Sequence, residues 1–144
     1  CRCWRISHHV LAVMVEVYEG AKSVLLPCQY TGFVVEDPTM IWTRTDLNPK
    51  SVHLRQEETD DLSGQNQRYS GRTSMRPDAL DTGDFSLTLR NPRLTDSGYI
   101  CTIYRDKDIL RQKVVLQVKG STVMLIFMSG WLPLYLIAVF SCFC

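Results

Sequence analysis

Residues Leu94-Thr95-Asp96-Ser97-Gly98-Tyr99-Ile100-Cys101 place a tyrosine two positions before a cysteine, after a polar turn ending in glycine. A second cysteine, 73 positions upstream, closes the run Ser23-Val24-Leu25-Leu26-Pro27-Cys28, and Trp42 follows it fourteen residues later. Around these landmarks the residue pattern alternates with a period of two, as a strand with one buried face requires. A strand with one apolar face must pack that face against a second layer. Each landmark is weak alone; spacing, alternation and turn chemistry together point to an all-β sandwich.

A chain of 144 residues, 45% of them hydrophobic, has room for one sizeable core. Its net charge of +1 gives no reason to look to nucleic acid or to an acidic substrate, so partners have to be sought on local faces. Many apolar residues lie at the end. Val123 to Cys144 holds 22 positions without a charge, enough as a helix rising ~1.5 Å per residue to cross a ~30 Å hydrocarbon layer. We read 123–144 as a transmembrane helix, with Pro133 tolerated inside it. The alternative, a buried helix of a soluble fold, is disfavoured because such helices keep a polar face. Cys142 and Cys144 offer acylation sites, with buried free thiols as the commoner outcome.

Residues 1–9 (CRCWRISHH) fit no folded element and read as a disordered or truncated segment. Val10 to Val15 is too short for a signal-peptide core. Cys1, Cys3, His8 and His9 lack a second ligand pair at zinc-finger spacing, so no metal is expected. From residue 10 the apolar, β-branched run to Val17 reads as an edge strand, turned by Glu19-Gly20 into a strand over 23–30. There Val24, Leu26 and Cys28 point inward, Leu25 and Gln29 outward. Met40 to Arg44 is the next strand, with Trp42 inward. Asp46 to Lys50 is a turn by composition, and Ser51 to Arg55 alternates as a further strand. Gln56 to Gln67 reads as an exposed polar loop with no binding role. Tyr69 to Met75 is a strand, Asp81-Thr82-Gly83-Asp84 a turn, and Phe85 to Leu89 a strand with Phe85, Leu87 and Leu89 inward and Ser86 and Thr88 facing water. Pro92 stops that strand. In the next, Tyr99, Cys101 and Ile103 share one face and Ile100, Thr102 and Tyr104 the other. Ile109 to Val118 closes the sheet with Val114, Leu116 and Val118 inward, and 120–122 is a short linker.

With Cys28, Trp42 and Tyr99-Ile100-Cys101 in place, the stretch from about Val13 to Lys119 resembles an immunoglobulin V-set domain. The runs VEVYEGAKSVLLPC, SGRTSM, TGDFSLTL and LTDSGYICTIYRD are similar to V-set domains of butyrophilin-like and T-cell costimulatory-ligand-like membrane proteins, particularly of fishes. About 60 residues between Trp42 and Cys101 leave room for the two added edge strands of a variable-type domain. The resemblance implies an immunoglobulin V-type β-sandwich of two antiparallel sheets in Greek-key order over residues 10–119. It also implies a Cys28–Cys101 bridge packed by Trp42, with Tyr99 tying its hydroxyl to nearby backbone and Leu89 in the core. Closing that loop would stabilise the fold by roughly 4 kcal/mol in the chain-entropy model and presumes an oxidising compartment. The family's ion pair would fall on Arg72 and Asp96. One residue fewer than the family pattern separates Asp96 from Cys101, and two independent surface charges remain the alternative. The aromatic-Gly-x-Gly bulge of antigen-receptor domains is missing at Leu110-Arg111-Gln112-Lys113, which sets rearranged receptor chains aside.

The resemblance further implies display at the plasma membrane by a single pass, immunoglobulin domain outward, and a protein receptor or ligand on an opposing immune cell, so that lymphocyte activation is raised or lowered. Homophilic adhesion resembling myelin protein zero, through a homodimer, is the alternative. No enzyme is expected: His53 is the one histidine inside the domain, and no Ser-His-Asp or paired-carboxylate spacing accompanies it. No cofactor is implied. Asn48 and Asn91 precede proline and Asn66 is followed by Gln-Arg, so no N-glycan is expected. The expected partner-binding face carries Ile41, Thr43, Ile100, Thr102, Tyr104 and Val115, rimmed by Arg105, Asp106, Lys107 and Asp108, with Tyr104 as anchor.

Overall fold

The computed structural model describes residues 12–30, 38–104 and 108–120. Nine strands are described: β1 Val13–Tyr18, β2 Ser23–Leu26, β3 Thr39–Thr43, β4 Ser51–Gln56, β5 Thr59–Asp60, β6 Thr73–Met75, β7 Leu87–Arg90, β8 Gly98–Tyr104 and β9 Ile109–Lys119. They form a six-stranded sheet in the order β1-β9-β8-β3-β4-β5 and a three-stranded sheet in the order β2-β7-β6. Every described pair is antiparallel except β1 with β9, which run parallel along the edge from Val13↔Val114 to Tyr18↔Lys119. Among the described residues no helix is long and apolar enough to cross a membrane. The expected span 123–144, the segment 1–9 and the rim residues Arg105, Asp106 and Lys107 lie outside the described residues.

Alternation builds the core. Val24 and Leu26 of β2, Met40 and Trp42 of β3, Leu87 and Leu89 of β7, Tyr99, Cys101 and Ile103 of β8, and Val114 and Leu116 of β9 are buried together. Trp42 lies opposite Cys101 in register, and its indole N–H donates to the Phe85 carbonyl at 3.1 Å. This satisfies the one polar atom of a side chain otherwise removed from water. Cys28 and Cys101 are bridged, with their Cα atoms 6.5 Å apart, which fastens the three-stranded sheet to the six-stranded one.

Several local expectations are corrected. Residues 56–67 are not all loop: Thr59–Asp60 forms β5, paired with β4 through Arg55↔Asp60. The strand expected over 69–75 begins only at Thr73, because Gln67–Tyr69 winds into a 3-10 turn capped by Asn66. The turn around Asp81 is one helical turn, α1, Ala79–Thr82, ended by Gly83 at φ 72°. A Cβ at Gly83 would lie 2.3 Å from the Tyr30 carbonyl oxygen, so both the backbone angle and the close approach demand glycine there. Ser86 does not meet water. It is buried, and its hydroxyl accepts from the Cys28 N–H and donates to Asp84; a polar residue is tolerated away from water when its bonds are made there. A register shift between Trp42 and Thr43 breaks the alternation of β4, so Val52 and His53 are both buried.

Candidate protein-binding face

Inter-strand register sets the outer face of the six-stranded sheet. Pairing Thr102 with Ile41 and Arg111, Ile100 with Thr43 and Lys113, and Tyr104 with Thr39 and Ile109 brings these side chains into three adjacent rows. Ile41, Thr43, Ile100 and Val115 are half-buried. Tyr104 is 41% exposed and Ile109, beside it, 53%. Thr102 is buried at 4%, so it fills the floor of the face and is corrected from an expected contact residue to a supporting one. Met14 on β1 lies opposite Val115 and is 64% exposed.

Ile109, Arg111, Lys113 and Met14 extend the face beyond the residues singled out from sequence. The signal was available: once Val114, Leu116 and Val118 point inward, period two turns 109, 111, 113 and 115 outward together. Met14 needed the parallel β1–β9 register, which alternation alone does not give.

Two buried polar clusters hold the sheet behind this face. In the first, Asp96 Oδ2 accepts from Arg72 Nη2 and from the Arg93 N–H, both at 2.8 Å, while Oδ1 lies 3.7 Å from Arg44 Nη1. Arg44 also donates to the Tyr69 hydroxyl at 2.7 Å, and Tyr69 shares a hydrogen bond of 3.1 Å with the Tyr99 hydroxyl. Tyr99 thus bonds to a second tyrosine, not to nearby backbone as its sequence position suggested. Asp46 holds the Arg44 guanidinium above its ordinary pKa, against the burial that would lower it. Burial, then the Tyr69 bond, pushes the Tyr99 hydroxyl well above the usual phenol range, so it stays a neutral donor or acceptor.

In the second cluster His53 Nδ1 lies 2.9 Å from Thr73 Oγ1, and Arg55 donates to Asp60 Oδ1 at 2.7 Å and to the Arg76 carbonyl. His53 Nε2 approaches Asp60 Oδ1 to 3.2 Å but off the line of a hydrogen bond, leaving it the one buried side-chain polar atom without a hydrogen-bond partner among the described residues. Burial depresses the His53 pKa below its ordinary value, with the Asp60 contact opposing it. Burial acts to raise the Asp60 carboxyl, but its contacts with Arg55 and His53 prevail and leave it lowered. Among the described residues no three His, Cys, Asp or Glu side chains converge as metal ligands. What the outer face offers is a solvent-exposed surface of Tyr104, Ile109 and Met14 around half-buried Ile41, Ile100 and Val115, with the basic side chains Arg111 and Lys113 set into it.

Residues 12–119 match the family model for the immunoglobulin V-set domain. The chain is 44% identical over 57 residues to the V-set domain-containing T-cell activation inhibitor 1 of Rattus norvegicus, covering 39% of this chain and 20% of that protein. It is 32% identical over 84 residues to human myelin-oligodendrocyte glycoprotein, covering 58% of this chain and 34% of that one. The matched stretch thus spans about a fifth to a third of these relatives' own length. Among solved structures, the human B7-H4 IgV-like domain superposes with a TM-score of 0.64 at 26% identity, over 76% of this chain and 93% of that one. Bovine butyrophilin shares the fold at a TM-score of 0.62 and 22% identity, over 76% and 51%.

Proposed function

We propose, from the premise that this chain belongs to the immunoglobulin V-set family, that it is a cell-surface recognition module whose outer six-stranded face binds a protein on an opposing immune cell and so modulates lymphocyte activation. The observation that carries the reading is Tyr104, an aromatic 41% exposed beside Ile109, at the margin of half-buried Ile41 and Ile100. Exposed apolar patches are rare on surfaces that meet only water, and aromatic anchors concentrate binding energy. The likeness to a T-cell activation inhibitor and to the B7-H4 domain supports an immune setting for the partner. The domain faces outward from the plasma membrane in this reading, held by the apolar segment 123–144, and its role is binding and not catalysis. The experiment is to display the chain on transfected cells and measure adhesion of resting and activated lymphocytes. Tyr104→Ala should preserve display and reduce adhesion at least about tenfold, the size of a hot-spot loss; unchanged adhesion would refute the assignment of the face.

A further inference from the structure

We propose that the partner presents an acidic surface around an apolar centre, recognised by Arg111 and Lys113; this rests on the reading of the outer face given above. Strands β3, β8 and β9, which make the middle of the six-stranded sheet, contain no Asp or Glu. They do contain Arg111 and Lys113, both exposed and on the outer side, opposite Thr102 and Ile100 respectively. Neither basic side chain forms an ion pair among the described residues. The third basic residue of β9, Lys119, is different: its ammonium meets Glu16 of β1 at 3.1 Å. Asp108 stands just before β9 and contributes a carboxylate at its start. A chain balanced to +1 overall therefore concentrates two unpaired positive charges among its apolar binding rows.

Charge set into an apolar surface decides which surfaces can approach. A partner with carboxylates at the matching positions gains attraction, whereas a basic or neutral one buries two cations without compensation. The same logic bears on self-association. A second copy docking by the middle of this face would bring strands β3, β8 and β9, which hold Arg111 and Lys113 and no carboxylate, against their like, so the occupant is a protein of complementary sign. Only two basic side chains interleaved with Ile41, Ile100 and Tyr104 suit a protein surface better than a sulfated glycan, which is held by denser positive charge.

Lymphocyte adhesion to cells displaying the full chain tests this. The double reversal Arg111→Glu/Lys113→Glu should cut adhesion by about tenfold or more, and the wild-type signal should rise as salt falls from about 150 mM to about 50 mM at constant osmolarity. The control Lys22→Glu/Arg90→Glu reverses as many charges on exposed residues at the three-stranded sheet and should leave adhesion unchanged. If Tyr104→Ala abolishes adhesion while Arg111→Glu/Lys113→Glu does not, the face reading stands and the acidic partner is overturned. If both variants adhere like wild type, the face itself is wrong. Equal loss in the control pair, loss after heparinase treatment of the lymphocytes, or clustering of the displaying cells with one another would each overturn the proposal, assigning the effect to net charge, a glycan or a second copy.

Discussion

The two buried polar clusters do similar work in different ways. Asp96 is 2% exposed and gathers Arg72, Arg44, Tyr69 and the Arg93 amide, so every charge in that cluster is met by bonds inside the protein. Asp60 keeps a side chain 34% exposed and shares its carboxylate between Arg55 and a poorly aligned His53. Desolvation makes an incomplete network costly and a complete one rigid. The first cluster is therefore a strut whose parts are worth most to stability; the second is a seam, between β4 and β5 on one sheet and β6 on the other, that responds to solvent.

The largest break in that contrast is Asp96→Ala. It leaves the buried Arg72 guanidinium without a carboxylate, while Arg44 keeps Asp46, and should cost about 3–5 kcal/mol. Thermal unfolding of the domain over residues 12–120 measures this, and a loss as small as at the seam would erase the distinction. Arg55→Ala comes next. It leaves the Met75 and Arg76 carbonyls without their guanidinium donors and should cost about 1–2 kcal/mol in the same assay. Acidification sharpens the comparison further. Because the folded His53 pKa lies below its unfolded value, the unfolded chain takes up the proton first as pH falls. The contribution is then complete above the ordinary imidazole value of about 6.5 and is lost as pH drops from there through the lower folded pKa. Stability should fall in the wild type as pH drops below about 6.5, and His53→Gln should flatten that slope while Asp96 variants keep it. The smallest effect belongs to a pair outside both clusters: Arg76 with Asp78 is held at 3.0 Å on the surface, and Arg76→Ala should leave the melting temperature within error, since exposed pairs contribute little.

The strut was easier to read than the seam, for physical reasons. The pairing of Asp96 with Arg72 was implied by the family resemblance alone, with two independent surface charges as the alternative, and the shortened spacing to Cys101 did not prevent Arg72 Nη2 from reaching Asp96 at 2.8 Å. Cys28, Trp42, Leu89 and the inward rows of β2, β3, β8 and β9 were likewise legible, because period-two burial is written one residue at a time. His53 was not, since a register shift opposite Trp42 moves it to the inner side, and no sequence pattern announces a bulge. Asp60 lay in what reads as a solvated acidic run; only the pairing Arg55↔Asp60 singles it out. Ser86 and Thr102 were misjudged for a related reason, as alternation states which side a residue faces but not what covers that side.

The parallel β1–β9 edge and the 11-residue length of β9 have a consequence for reach. At roughly 3.3 Å per residue, β9 carries the chain about 33 Å from the tip beside Tyr104 and Ile109 to Lys119. The tip beside Tyr104 and Ile109 is thereby held at arm's length from residue 120 by a strand that β8 flanks over 109–115 and β1 over 114–119. Geometry of contact between two surfaces would then be set by the sandwich's own long axis, with no need for a separate spacer.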